Sequence, residues 1–80
     1  MAFVQVRLFA VARAKAGTEN ISCPAGSLAS IIQSLQTHGE LASVLPQCSY
    51  LVDGVACADL ETQIGEGSLI DVLPRFAGGA

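Results

Sequence analysis

One helical stripe restricts the fold of this chain more than any other sequence feature. Four apolar side chains recur at the spacing of a single buried helix face: Leu28, Ile31, Ile32 and Leu35. Ser27 stands before them as an N-cap, because its hydroxyl can accept hydrogen bonds from the amides of the first turn. Gly39 is predicted to end the helix in a left-handed conformation. His38 then falls in the last turn, where the helix dipole favours a cation.

Alternating apolar residues predict two strands before this helix. Residues 3–9 alternate and place Val4, Val6 and Leu8 on one face, which leaves Phe9 on the other. Residues 19–23 form a second short alternating segment, and its closeness to the first strand suggests a hairpin. The alanine-rich segment 11–17 between them is compatible with one helical turn or with an ordered loop.

The part of the chain after the helix reads as three further strands. Residues 49–52 and 55–57 flank Asp53-Gly54, a strong signal for a two-residue hairpin turn. Residues 69–73 form the final strand, and Pro74, which has no amide hydrogen, is predicted to end its pairing. Residues 40–45 are predicted as a short second helix, and residues 59–64 stay unassigned. The sequence therefore predicts an α+β domain with four or five strands on one main helix.

Composition and charge argue against several functions. The net charge is −3, with only four basic residues, whereas nucleic-acid binding needs clustered Lys and Arg. No apolar run approaches the ~20 residues of a membrane-spanning helix. Gln5 and Arg7 interrupt anything like a signal peptide, so a cytoplasmic location is expected. Charged residues are only 14% of the chain, which fits either a small polar surface or a surface covered by another protein.

No conventional catalytic or metal site is evident in the sequence. Cys23, Cys48 and Cys57 have no metal-binding or redox spacing, and His38 is the one histidine. The thiols are predicted to be reduced and to pack as small hydrophobic groups. We expect no bound cofactor and no metal.

The end of the chain differs from the rest. After Pro74 there is no periodicity, and residues 75–80 could extend about 20 Å. Glycines near the tip can pass through a narrow channel because they lack Cβ. The alternative is an ordinary frayed terminus. The predicted organisation is a domain over residues 1–74 and a flexible tail over residues 75–80.

The whole pattern resembles a known family. The matching segments are Val6-Arg7-Leu8-Phe9-Ala10, Ala12-Arg13, Gly17, the helix entry around Leu28, Leu51-Val52-Asp53-Gly54, the run from Gly67 to Pro74, and the Gly78-Gly79 tail. In this order they are similar to ubiquitin-like β-grasp proteins, and most closely to the MoaD/ThiS family of sulfur carriers. That family includes the small subunit of molybdopterin synthase.

The resemblance implies a function for the tail. The carboxyl group of Gly79 would be adenylated by an E1-like (MoeB-like) activating enzyme that uses ATP, and then converted to a thiocarboxylate. The large subunit of molybdopterin synthase (MoaE-like) would direct this sulfur at a pterin precursor to build the dithiolene that binds molybdenum. This chain would supply the nucleophile on a tether and no acid or base.

The resemblance also implies roles for individual residues. Phe9 would contact the large subunit, and four tail residues would line the arm inside the partner: Arg75, Phe76, Ala77 and Gly78. Ala80 departs from the family pattern, which ends at the second glycine. It would be removed by a peptidase, be a residue added in cloning, or be tolerated. Other functions stay open: a sulfur carrier for thiamine or cysteine biosynthesis, or a ubiquitin-like modifier or interaction module.

Overall fold

The computed structural model describes residues 2–74 as a mixed α+β fold. The first half contains β1 (Phe3–Leu8), α1 (Ala10–Ala16), β2 (Asn20–Pro24), β3 (Gly26–Ser27) and α2 (Leu28–Leu35). Two short 3-10 turns follow at Leu41–Ser43 and Leu45–Gln47. The second half contains β4 (Cys48–Val52), β5 (Val55–Ala56), β6 (Gln63–Ile64) and β7 (Leu69–Pro74).

Five of the strands form one mixed sheet in the order β2-β1-β7-β4-β5. β1 and β7 lie side by side and parallel at its centre, although one begins and the other ends the described chain. The other neighbouring strands are antiparallel. This is the ubiquitin-like β-grasp, and the predicted α+β fold with a mixed sheet of four or five strands on one main helix is confirmed.

The core lies between α2 and one face of the sheet. Leu28, Ile31 and Leu35 are fully buried, whereas Ile32 at the edge of the stripe is only partly buried. They pack with the inward side chains of β1 and β7, each such burial contributing about 1.5–3 kcal/mol. The Ser27 hydroxyl accepts from the Ser30 amide at 3.1 Å, so the predicted N-cap is confirmed.

The end of the main helix was placed wrongly from sequence. α2 ends at Leu35, so His38 and Gly39 lie beyond it. Residues 36–38 continue as single turns, in which the His38 amide donates to the Leu35 carbonyl at 3.1 Å. The predicted short helix over 40–45 is also wrong, because two 3-10 turns occupy this region. Pro46 has no amide hydrogen to continue an α-helix there.

The remaining segments refine the strand assignments. The ambiguous segment 11–17 belongs to a true helix, α1, and the second strand is shifted by one residue to Asn20–Pro24. The unassigned segment 59–64 contains β6, which pairs with β3. Pro74 stays paired opposite Cys48, contrary to prediction, since one missing donor at the last position leaves the earlier pairs intact. The Asp53-Gly54 hairpin is confirmed, with φ values of 51° and 85°.

Gly39 connects the loop after α2 to the end of α1. Its φ is +53°, and a Cβ at this position would lie 2.7 Å from the carbonyl oxygen of Lys15. The next amide, that of Glu40, donates to the same carbonyl at 3.1 Å. Glycine is therefore required by close backbone contact as well as by conformation.

We expect Gly39→Ala to lower the free energy of unfolding by about 2–4 kcal/mol, because it adds a backbone clash to left-handed strain. Urea unfolding followed by circular dichroism measures the change. Gly17→Ala is the matched control, since Gly17 has φ +78° in open space and should cost only about 1 kcal/mol. Equal losses in the two variants would show that the contact with Lys15 is unimportant.

Tyr50 lies on the inward face of β4 and is half-buried. Its hydroxyl donates to the Leu45 carbonyl at 3.3 Å, which ties β4 to the 3-10 turn before it. Burial, with a smaller effect from Cys48, raises the pKa of Tyr50 from 10.0 to about 12. The folded protein therefore holds this proton more tightly than the unfolded chain does.

Stability should fall as the pH rises from about 10 towards 12, because the unfolded chain loses the Tyr50 proton first. Solvent screening at a half-buried group limits the effect to about 1 kcal/mol. Tyr50→Phe keeps the ring but cannot ionise, so its unfolding free energy should decline less between pH 9 and pH 11. If the unfolding free energies of the two proteins declined equally with pH, the raised pKa of Tyr50 would be contradicted.

Candidate functional site

Most of the residues predicted to form the functional site fall in the tail. Five of them lie outside the described residues, as does Ala80: Arg75, Phe76, Ala77, Gly78 and Gly79. The predicted division into a domain over residues 1–74 and a tail over residues 75–80 therefore stays a prediction.

Phe9 is the predicted site residue that the structure describes. It follows β1 directly, and its side chain is 38% exposed. Because β1 and β7 are parallel and Leu8 pairs with Val72, Phe9 and Pro74 lie at the same end of these two central strands. The aromatic side chain and the start of the predicted tail therefore share one end of the molecule.

The backbone around Phe9 forms a defined corner. Phe9 is the N-cap of α1, with extended φ and ψ of −124° and 152°, and its carbonyl accepts from the Ala12 amide at 3.1 Å. The next residue, Ala10, has φ +52°, a left-handed conformation that is unfavourable for a residue with Cβ. Strand, strained corner and helix together fix the position of the Phe9 backbone.

The corner at Phe9 borders the outer face of the sheet, which is the face opposite the core. By strand register it carries Phe3, Gln5 and Arg7 from β1, Leu69, Asp71 and Leu73 from β7, Asn20, Ser22 and Pro24 from β2, and Ser49 and Leu51 from β4. Only two of these residues are charged, Arg7 and Asp71. The negative charges that dominate the chain lie elsewhere, so the outer face is electrically neutral.

Arg7 and Asp71 form a bidentate salt bridge at the centre of this face. Nε of Arg7 donates to Oδ1 of Asp71 at 2.7 Å, and Nη2 donates to Oδ2 at 3.0 Å. These hydrogen bonds raise the pKa of the Arg7 guanidinium above its ordinary value. The guanidinium carbon also lies 5.6 Å from the centroid of the Phe9 ring, within cation–π range.

Sequence reasoning did not find the Arg7–Asp71 pair. The residues are 64 positions apart, and only the parallel register of the first and last strands makes them neighbours. The available signal was that each is the single charge on the outer face of its strand. A charge placed centrally on each of two adjacent strands predicts a cross-strand pair once the sheet order is known.

The three cysteine thiols of the described residues differ in burial. All three cysteines are free; Cys23 is buried, and Cys48 and Cys57 are half-buried. Burial raises the pKa of Cys23 and of Cys48, which keeps both as thiols at neutral pH. Within residues 2–74, no three His, Cys, Asp or Glu side chains are grouped closely enough to hold a metal ion. Over the same range, no helix has the length and apolar character needed to cross a membrane.

A shallow groove of about 410 Å³ lies beside the β4–β5 hairpin. Its lining includes Leu28, Cys48, Tyr50, Cys57 and Leu60. The residues that border it include no Asp, Glu, His, Lys or Arg.

Known structures share this fold over nearly their full length. The small archaeal modifier protein 1 from Methanosarcina acetivorans matches with a TM-score of 0.85 and 26% identity, covering 99% of this chain and 98% of that one. A chain from the complex of subunits 1 and 2 of molybdopterin-converting factor from Helicobacter pylori matches with a TM-score of 0.72 and 26% identity, covering 96% and 99%. A chain of the BexX/CysO complex from Amycolatopsis orientalis shares the fold at 19% identity, with a TM-score of 0.79 and coverage of 95% and 99%.

The comparison with curated proteins finds no match. The model of the ThiS family, by contrast, matches residues 6–79, from β1 through the predicted tail to its second glycine. This match covers far more than half of the sequence. The chain is therefore a member of the ThiS family.

Proposed function

We propose that this protein is the sulfur-carrier small subunit of a molybdopterin synthase. The observation that carries the proposal is that Phe9 lies at the same end of the parallel strands β1 and β7 as Pro74, after which the predicted tail begins. A partner that binds the corner at Phe9 lies next to the start of the tail. From there residues 75–79 could extend about 17 Å, enough to enter a neighbouring active site.

The chemistry of the tail follows from the state of Gly79. Its carbonyl is joined to Ala80 by a peptide bond, so that bond must be hydrolysed before Gly79 has a carboxylate. The carboxylate attacks ATP to form an acyl adenylate and releases pyrophosphate. Sulfide then attacks the acyl carbon and displaces AMP, and the product is a thiocarboxylate. The proposed role of the domain is to present this group to the partner enzymes.

The assignment to molybdopterin synthase draws on one structural relative. The Helicobacter pylori chain that resembles this one is part of a complex between subunits 1 and 2 of molybdopterin-converting factor. A neutral outer face with an exposed aromatic at its edge suits a protein partner of that kind. The two partners proposed here are a MoaE-like large subunit and a MoeB-like activating enzyme, with a peptidase that removes Ala80.

A second candidate function is that of a ubiquitin-like protein modifier. It is favoured by the similarity to small archaeal modifier protein 1, which extends over almost the full length of both chains. The activated carboxyl of Gly79 would then be attacked by a lysine amine instead of by sulfur. A carrier for cysteine or thiamine biosynthesis is a third candidate, with the CysO likeness in fold as its support.

The chain ending at Gly79 should gain the mass difference between sulfur and oxygen when it is incubated with the MoeB-like enzyme of the same organism, ATP and a sulfide donor. Intact-protein mass spectrometry measures the change. The chain that retains Ala80 is the matched control and should stay unmodified, because its Gly79 carbonyl is an amide. Modification of both forms, or of neither, would contradict the proposed site.

The fate of the thiocarboxylate separates the candidates. Mixed with the large subunit and the pterin precursor, the sulfurated chain should yield a dithiolene product and return to its carboxylate form. Accumulation of isopeptide-linked conjugates on lysines, without dithiolene formation, would favour the modifier function.

Phe9→Ala should weaken binding to the large subunit by about tenfold or more, as expected for an aromatic anchor received in a pocket. Isothermal titration calorimetry measures the dissociation constant. Phe3→Ala is the matched control, because Phe3 lies on the same face of the same strand at the other end and is 44% exposed. Equal weakening by both changes, or none by Phe9→Ala, would refute Phe9 as the anchor.

A further inference from the structure

Three side chains on the outer face form a connected row. Asp71 on β7 accepts two hydrogen bonds from Arg7 on β1, at 2.7 and 3.0 Å, and Arg7 in turn lies against the ring of Phe9 at 5.6 Å. Arg7 and Asp71 are directly paired in the register of the two strands. The row therefore runs from the middle of β1 and β7 towards the end of these strands at which β7 finishes.

The exposure of these residues changes along the row. The Asp71 side chain is only 13% exposed, whereas that of Arg7 is 47% exposed and Phe9 is 38% exposed. An exposed ion pair by itself contributes little to stability, because solvent screens the charges and ordering the side chains costs entropy. Here the fork geometry of the guanidinium fixes its plane, and that plane limits the positions open to the Phe9 ring.

We propose that Asp71 and Arg7 are positioning residues that hold the Phe9 ring in the pose in which the partner protein receives it. This inference rests on the proposed function, in which Phe9 is the docking anchor. Asp71 acts through Arg7, and Arg7 acts through the ring. Ordering the ring before binding reduces the entropy lost on association, which favours a tighter complex.

The pair also defines the chemistry of the partner surface. The charge of Arg7 is already neutralised by Asp71, so an acidic partner group would compete with a bond that is made within the chain. The surface that fits is an uncharged apolar pocket for Phe9, bordered by a neutral acceptor such as a backbone carbonyl. Binding to such a surface depends weakly on salt, in contrast to association driven by net charge.

The first test uses the free protein and NMR. The Nε–H signal of Arg7 should be visible and slow to exchange, and the Phe9 ring signals should differ from those of a mobile ring. Asp71→Asn should abolish both features. Glu40→Gln should change neither, because it removes the other ion pair of the described residues, Lys15–Glu40 at 3.6 Å, on a different part of the molecule. Unchanged Phe9 signals in Asp71→Asn would overturn the proposal.

The second test measures affinity for the large subunit of molybdopterin synthase from the same organism. Asp71→Asn should weaken binding about three- to tenfold in the wild-type background, the size expected from the entropy of ordering one side chain. In a Phe9→Ala background the same change should have less than about a twofold effect, since the group it positions is gone. Arg7→Lys, which keeps the charge but loses the planar fork, should reproduce the loss.

The outcomes separate this inference from the proposed function. If the wild-type chain does not bind the large subunit, the proposed function is wrong and the inference falls with it. If the wild type binds and Asp71→Asn binds equally well, only the positioning role is wrong. An equal loss in the Phe9→Ala background would mean that Asp71 contacts the partner directly, which also overturns the role. Arg7→Lys decides the matter if Asp71→Asn fails to fold.

Discussion

The parallel pairing of β1 with β7 is the contact on which the rest of this molecule depends. It brings the first and last strands of the described chain together at the centre of the sheet. The same register buries Val6 beside Ile70 and sets Arg7 beside Asp71. It also places Phe9 at the end of the strands where β7 finishes at Pro74. The packing of the core, the Arg7–Asp71 pair on the outer face and the position of Phe9 near Pro74 therefore all follow from the register of β1 with β7.

The low charge content of the chain has an explanation in this arrangement. One side of the sheet is covered by α2, and the opposite side carries two charges that neutralise each other. The remaining acidic residues lie mainly in turns and loops. A neutral face beside the tail, on a molecule with a net charge of −3, favours contact with a protein surface over contact with a polyanion.

Much of the fold could be predicted from local patterns. The stripe of α2, the Ser27 cap, the alternation of β1 and the Asp53-Gly54 turn each depend on neighbours close in sequence, and all were confirmed. The exact end of α2 and the 3-10 turns could not be predicted from local patterns. The need for glycine at position 39 comes from its close contact with the backbone of α1 and not from the end of α2. The candidate site residues were predicted from the family resemblance and not from local patterns. The Arg7–Asp71 contact and the left-handed Ala10 could be identified only from the three-dimensional structure.

The central position of β7 has a consequence for how the protein is made. Among the described strands, the one that completes the middle of the sheet is the last to be synthesised, and its partner is the first, 64 residues earlier at the Arg7–Asp71 pair. Contacts so distant in sequence close late and slowly during folding. A polypeptide released before residue 69 would lack the middle strand and could not assemble the sheet. The apolar faces of β1 and α2 therefore lack their central partner strand until residues 69–74 have been synthesised.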